Sequence, residues 1–333
     1  VLEPGARRCG IGLGVVYLRA EEVASHAQAI INEVERTIVG KTETIRKAVL
    51  TLFCNGHLLI EDIPGVGKTT LAKALAKSIG GEFRRVQFTP DLLPADITGS
   101  SIFNQKESEF EFKPGPVFGN VVLVDEINRA TPKTQSSLLE AMEERQVTTD
   151  GVSRHLPNPF FVIATQNNVE MTGTYPLPEA QLDRFFARIA LGYPDKANEL
   201  AILAQQQVSH PLELVQMVVD LETLLDIQVA VRDVFVHDKI REYVLDIVLA
   251  TRQSNMLVMG SSPRGSLYLM RAAQANAAID GIDYVRPDDV KAVAAAVLSH
   301  RVIARSELKT QGSTADVVIE RILEAVPAPV PVA

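Results

Sequence analysis

The chain reads as an α/β fold, a parallel sheet flanked by helices and followed by an all-helical segment, and three observations predict it. Three short apolar stretches, Leu58–Ile60, Val121–Val124 and Phe160–Thr165, have strand length without polar alternation, the pattern of strands buried on both faces. The first of them runs into the glycine loop Pro64–Gly65–Val66–Gly67–Lys68–Thr69–Thr70. Leu71, Ala74, Leu75, Ser78 and Ile79 then recur with helical period until Gly80–Gly81 stop the helix. From Tyr193–Pro194 onward the pattern is helical throughout.

Taken in order, a helix is predicted over Glu21–Glu35, with Val23, Ala27, Ile30, Ile31 and Val34 on one face. Ile38–Val39–Gly40 breaks it, and Ile45, Val49, Leu52 and Phe53 begin a second helix leading to the first strand. The Val39–Gly40 break either packs on a nucleotide base or is a plain helix–helix turn. Arg84–Phe88 reads as a further strand, and Glu109–Lys113 alternates with period two after the polar turn Lys106–Glu107–Ser108, so a hairpin is expected there. Phe110 and Phe112 share one of its faces, either packed on the domain or presented to a partner. Thr131 and Pro132 open a helix through Leu138, Leu139 and Met142, and Asp150–Gly151 marks a second tight hairpin. Pro287–Asp288–Asp289 starts a late helix, and Val326–Pro331 reads as an extended or disordered tail.

The chemistry sits where strands end. Strand, glycine loop, Lys–Thr and helix make a phosphate-binding loop. Lys68 reaches the β- and γ-phosphates of a nucleotide, the Thr69 hydroxyl binds Mg²⁺, and the helix N-terminus favours the anion. The first glycine of the usual pattern is replaced by Asp62, which reads as a small loss because Gly65, Gly67, Lys68 and Thr69 do the cradling. Asp125 and Glu126 end a buried strand, where Asp125 can hold Mg²⁺ through water and Glu126 can polarise an attacking water. Gln166–Asn167–Asn168 ends another strand, and an amide there either holds that water and senses the γ-phosphate or simply makes a turn. Arg184, in Asp183–Arg184–Phe185–Phe186, either completes a neighbouring subunit's site or pairs with Asp183. Ser262–Pro263–Arg264 opens a helix with an N-cap, a proline and an arginine. The arginine opposes the helix dipole unless an anion lies nearby.

The totals narrow the class. In 333 residues, 46% hydrophobic and 22% charged, a sizeable core can be buried in one large or two moderate domains. The net charge of −8 disfavours an extended nucleic-acid surface. Cys9 and Cys54 form neither a disulfide framework nor a metal site, which fits a reducing, cytoplasmic setting, and no apolar stretch is long enough to span a bilayer. The six histidines lack metal-ligand spacing, and His57, His155 and His300 read as packing or surface residues. Arg7–Arg8 followed by Cys9–Leu18 resembles a signal peptide without a small-residue cleavage site. With Val1 in place of Met, that stretch reads as a translated GTG start or a start placed too far upstream, so residues 1–19 are set aside as disordered or misassigned.

From Ile38 to His300 the chain resembles the MoxR family of AAA+ ATPases. The resemblance rests on Gly56–His57–Leu58–Leu59 with Pro64–Thr69, Phe88–Asp96, Gly115–Phe118, Asp125–Ala130, Leu138–Met142, Ala164–Asn167, Tyr175–Phe185 and Ser262–Arg264. It implies a P-loop NTPase (AAA+) core with a parallel sheet over residues 20–192, an all-α lid over 193–325 and a proline-rich tail over 326–333. The hairpin near Phe110 then corresponds to a helix-2 insert and the Asp150–Gly151 hairpin to a pre-sensor insert. Lys68 and Thr69 take Walker A roles and Asp125 and Glu126 Walker B roles, while Asn167 is sensor 1, Arg184 the arginine finger and Arg264 sensor 2. Asn168 stands where the family usually has proline, and Gly281–Ile282 where it often has Gly–Arg. The resemblance further implies ATP with Mg²⁺, a homo-oligomeric ring, usually a hexamer, and chaperone-like remodelling of client proteins. Such remodellers often work with a von Willebrand factor A-domain partner, in maturation of metal- or cofactor-containing enzymes. The rival readings are a nucleic-acid motor, which the acidic balance and the lack of a basic-aromatic stripe disfavour, and a nucleotide-gated regulatory module with little turnover. A phosphotransferase is weaker still, since Asp125–Glu126 suits water as acceptor.

Overall fold

The computed structural model describes residues 18–167, 173–206, 211–305 and 314–329. Residues 1–17, Asn168 and the last four residues of the tail lie outside the described residues, so the readings made for them are not addressed by it.

Two helices precede the sheet. α1 (Ala20–Glu35) buries Val23, Ala27, Ile30, Ile31 and Val34 along the predicted face, and α2 (Thr42–Phe53) buries Ile45, Val49, Leu52 and Phe53. The sheet is built from β1 (Leu58–Glu61), β2 (Phe83–Gln87), β5 (Val121–Asp125), β8 (Phe161–Gln166) and β9 (Ala187–Ile189). Their order is β2-β5-β8-β1-β9, and every neighbouring pair is parallel. Side chains on a strand alternate between faces, which explains the unbroken apolar runs. Leu58, Ile60, Leu123 and Ile163 enter one core, whereas Leu59, Val122, Val124, Val162 and Ala164 enter another. The first core takes in α1, α2, α3 (Lys68–Ser78) and the later helices. The second is capped by α5 (Pro132–Glu144), through Leu138, Leu139 and Met142.

Two hairpins and a short helix lie outside the sheet. α4 (Pro94–Thr98) leads into β3 (Gly99–Asn104), which pairs with β4 (Glu109–Pro114), and β6 (Gln146–Thr149) pairs with β7 (Val152–His155). Asp150 and Gly151 both take positive φ, 55° and 75°, as a tight hairpin turn requires. The two hairpins touch each other. Ser101 Oγ donates to Asp150 Oδ2 at 2.6 Å, and the Arg154 guanidinium lies 3.8 Å from the centre of the Phe112 ring. This divides the pair of phenylalanines that the sequence placed on one face. Phe112 packs beneath Arg154 and edge-on to Phe118, whereas Phe110 is 74% exposed and meets only Phe103 among the rings.

Beyond β9 the chain is helical: α6 (Glu179–Leu182) precedes that strand, and α7 (Lys196–Gln206), α8 (Leu221–Asp233), α9 (Asp238–Gln253), α10 (Pro263–Ile279), α11 (Pro287–Leu298) and α12 (Ala315–Ala325) follow. A two-stranded ribbon, β10 (Leu257–Met259) with β11 (Ile303–Ala304), is added to this lid. α1 packs against both α8 and α10. Gln228 Nε2 donates to the Leu52 carbonyl at 2.8 Å, and Arg46 pairs with Asp280 at 2.7 Å. The lid is therefore joined to the sheet domain through α1 and α2. We propose Gly192, between β9 and α7, as the boundary. After α12 the chain is extended, and Val326 and Ala328 pack on the core. Among the described residues no helix is long and apolar enough to cross a membrane.

Candidate active site

Because the sheet is parallel, the C-terminal ends of β1, β5 and β8 lie along one edge, and the loop 62–67 leaves from there into α3. Gly65 and Gly67 hold φ of +84° and +95°, the left-handed region that a side chain resists. Next to them is a cavity of about 230 Å³ lined by Val39, Gly65, Val66, Gly67 and Thr70, with Ile38, Lys41, Gly192, Pro194 and Ile202 among the other walls. Gly40 stands behind Val39 at φ +73°, so close to Asn198 that a Cβ would sit 2.2 Å from its amide nitrogen. Pro64 lies in the loop itself, and Lys68 and Thr69 are the first two residues of α3.

Lys68 Nζ donates to the Asp62 carbonyl oxygen at 2.5 Å. Partial burial lowers its pKa, and the Asp62, Asp125 and Glu126 carboxylates oppose that shift in turn. The lysine and both strand-end carboxylates are thus within one electrostatic neighbourhood. Asp125 is 7% exposed, takes Arg85 Nε on Oδ2 at 2.6 Å and Thr165 Oγ1 on Oδ1 at 3.3 Å. Glu126 leaves the strand in a left-handed conformation, φ 56° and ψ 54°, with its amide donating to Thr165 Oγ1 at 2.9 Å. Its Oε2 accepts from Gln87 Nε2 at 2.8 Å and lies 3.2 Å from Arg129 Nε. Asn167, buried, follows directly on β8. Hard oxygen donors, the Thr69 hydroxyl and the Asp125 carboxylate, suit Mg²⁺, which binds through one or two protein oxygens and otherwise through phosphates and water. Among the described residues no cluster of three or more histidine, cysteine or acidic side chains competes with that pair as a metal site.

Arg184 and Arg264 are brought together elsewhere. Arg184 Nε lies 3.2 Å from one oxygen of Glu143 and Arg264 donates to the other at 2.8 Å. Both line a second cavity with Asn55, Gly56, His57, Met142, Glu143, Arg145 and Tyr268, and neither lines the one at the glycine loop. The anion that offsets an arginine at the start of α10 is therefore Glu143, with Asp183 at 3.9 Å. One of the two alternatives left open for Arg184, and the capping role of Ser262, are overturned. Arg184 pairs with Glu143 and not with Asp183, which is taken by Arg301 at 2.9 Å. Ser262 occupies the N-cap position without capping, because its hydroxyl turns to Asp183 at 3.1 Å. Arg301, 3% exposed, also donates to the carbonyls of Asp183, Phe185, Phe186 and Val297. Burial brings its pKa down to about 10, with Asp183 acting against the fall.

Sequence reading missed Arg85, Gln87, Thr165, Glu143 and Arg301. Arg85 and Gln87 do alternate on β2, which puts both on one face of that strand. Their target became visible only once β2 was seen to pair with β5, Gln87 opposite Asp125. The three histidines read as packing or surface residues are placed so. His57 accepts the Val162 amide on Nδ1 and faces the Met142 carbonyl with Nε2, which defines a neutral ring protonated at Nε2. His300 Nε2 lies 3.1 Å from the Phe185 carbonyl, and His155 is exposed. Burial is the first cause that lowers both buried rings well below the usual histidine value, with Arg145 adding to it at His57 and Arg301 at His300. Burial likewise pushes the Cys54 thiol up, away from reactivity.

Fold and site together define a nucleotide-binding α/β domain with a helical lid, and comparison with known proteins agrees. Residues 57–187 match the ATPase family associated with various cellular activities (AAA), and residues 249–322 match the AAA lid domain. The chain is 41% identical over 319 residues to chaperone MoxR1 of Mycobacterium tuberculosis, covering 93% of this chain and 84% of that one. It is 31% identical to protein MoxR of Methylorubrum extorquens, over 89% and 93% of the two chains. An uncharacterised protein of Bacillus subtilis, YeaC, is 51% identical over 90% of this chain and 94% of its own. A solved structure from Cytophaga hutchinsonii, presented as a candidate ATPase, superposes with a TM-score of 0.87 at 39% identity, over 93% of this chain and 97% of that one. The chain belongs to the MoxR-type AAA ATPases.

Proposed function

We propose that the protein hydrolyses ATP to ADP and phosphate with Mg²⁺, in a ring of identical subunits, hexameric by family resemblance, and uses the cycle to remodel partner proteins. The observation that carries the reading is the glycine loop, which runs from the C-terminal end of β1 into Lys68 and Thr69 beside a cavity, with Asp125 and Glu126 at the C-terminal end of β5 on the same sheet edge. Thr69 and Asp125 are the residues that would hold Mg²⁺, which when bound neutralises charge on the phosphate oxygens. The Lys68 ammonium exchanges the Asp62 carbonyl for a phosphate oxygen. Glu126, released from Gln87 and Arg129, accepts the proton of the attacking water, which the Asn167 amide helps to place. Val39, which lines the cavity, and Gly40 beside it would pack on the base.

The separation of Arg184 and Arg264 from the glycine-loop cavity supports a site completed between subunits. Each arginine would leave Glu143 for the γ-phosphoryl group of a neighbour, where charge spreads over the equatorial oxygens. The chaperone name of one relative supports a client protein, and a von Willebrand factor A-domain partner rests on the family resemblance. Calorimetric ATP binding combined with phosphate release tests the core reading. We expect the parent chain to bind and hydrolyse Mg·ATP and Lys68→Ala to lose both activities. Phosphate release unaffected by Lys68→Ala would contradict it.

A further inference from the structure

Asp62 is the residue at which the glycine loop departs from the usual phosphate-binding pattern, and it is the best-connected side chain in that loop. Its Oδ1 accepts the Ile63 amide at 2.8 Å. Its Oδ2 accepts two amides from across the cavity, Leu191 at 2.5 Å and Gly192 at 2.7 Å. Its carbonyl takes the Lys68 ammonium. Leu191 and Gly192 follow the edge strand β9 and lead into α7, and Gly192 turns there with φ +64°. The same segment forms part of the cavity wall, since Gly192 and Pro194 line it together with Gly65, Val66 and Gly67. Lys41, from the loop between α1 and α2, also reaches this wall through the Tyr193 carbonyl at 2.9 Å. One carboxylate therefore ties the floor of the cavity to the first residues of the lid connection, and the backbone of the same residue holds the catalytic lysine.

We propose that Asp62 is a positioning residue that couples the phosphate-binding loop to the lid through Leu191–Gly192, so that occupancy of the loop is reported to the lid. This rests on the nucleotide site proposed above. When a phosphate oxygen takes Lys68, the Asp62 carbonyl loses its partner while its side chain keeps hold of the hinge amides. The shift of the loop is then passed to the segment that starts the lid. A glycine at this position, as the general pattern has it, would cradle phosphate equally well and carry no such link.

The chain contains no tryptophan, so Tyr193→Trp, at an exposed side chain beside the hinge, provides a single fluorescent reporter. ADP is the probe, with its affinity measured separately by calorimetry. In the Tyr193→Trp chain the emission is expected to change on ADP binding. Adding Asp62→Gly, read at ADP concentrations that calorimetry shows to saturate that variant, should abolish the emission change. Asp62→Asn retains one oxygen for the two hinge amides and should keep most of the response. A full response in Asp62→Gly, an Asp62→Asn chain as unresponsive as Asp62→Gly, or a reporter indifferent to bound ADP in the otherwise unaltered chain would each overturn the proposal. A merely structural Asp62 would lower the melting temperature in both variants without separating binding from response. Failure of the unaltered chain to bind ADP at all would instead overturn the nucleotide site itself.

Discussion

Glu126 leaves β5, a strand buried along its whole length, in a left-handed conformation with φ 56°. For a residue with a Cβ that conformation costs about 1–2 kcal/mol, and Thr165 offsets it by taking the Glu126 amide while its own hydroxyl reaches Asp125. The turn aims the carboxylate off the strand end, where Gln87 and Arg129 hold it. Glu126→Gln preserves shape and removes the base, so ATP binding should persist while phosphate release falls about 10²- to 10⁴-fold. Thr165→Val keeps the volume and deletes the acceptor. Urea unfolding should then show a loss of about 1–3 kcal/mol from the orphaned Glu126 amide, accompanied by slower turnover. Asp125, Glu126 and Asn167 stood out as candidates in the sequence because each follows an apolar strand run, and Lys68 because it follows the glycine loop, and such patterns are local. Thr165, Arg85 and Gln87 act through neighbours on other strands, and strand pairing is not written in any single window.

Among the elements, the two hairpins were readable from alternation and from Asp150–Gly151, but not how they meet. Period two places Phe110 and Phe112 on one face and is silent about which of them finds a cover. Arg154, from the other hairpin, covers Phe112. Phe112→Ala should therefore cost about 1–3 kcal/mol in urea unfolding, part of a buried phenylalanine's worth. Phe110→Ala, at a largely exposed side chain, should stay within about 0.5 kcal/mol. Equal losses at the two positions would show that the hairpins do not pack as described. The start of α10 carries the same lesson. The arginine at its first turn was recognised as a conflict with the helix dipole, and the conflict is resolved by Glu143 from α5, more than a hundred residues earlier in the chain. Short β9 went unread because three edge residues give too little pattern to distinguish a strand from the loop around it.

For the whole molecule, two histidines among the described residues, His57 and His300, are buried, and their chemistry predicts how stability responds to acid. His57 and His300 are held neutral, with folded pKa values well below the ordinary histidine value. The unfolded chain takes up protons below about pH 6.5 where the folded chain does not, so stability falls as pH drops through that value. The slope approaches about 1.4 kcal/mol per pH unit for each histidine. Urea midpoints measured from about pH 7.5 down to about pH 5.5 should decline accordingly, and a flat profile would contradict the burial described.

In the proposed ring each catalytic site draws on two subunits. Lys68 opens α3 directly after the glycine loop that lines one cavity, and Asp125 and Glu126 end β5 on the same sheet edge, while Arg184 and Arg264 are stored together on Glu143 at another cavity. The most direct measurement is phosphate release from ATP against protein concentration, for the parent chain and for Arg184→Ala. Specific activity should rise with concentration in the parent and remain low and flat in the variant, by about 10³-fold or more once the parent is assembled. A concentration-independent rate that Arg184→Ala leaves untouched would contradict the account and reduce Arg184 to a partner of Glu143.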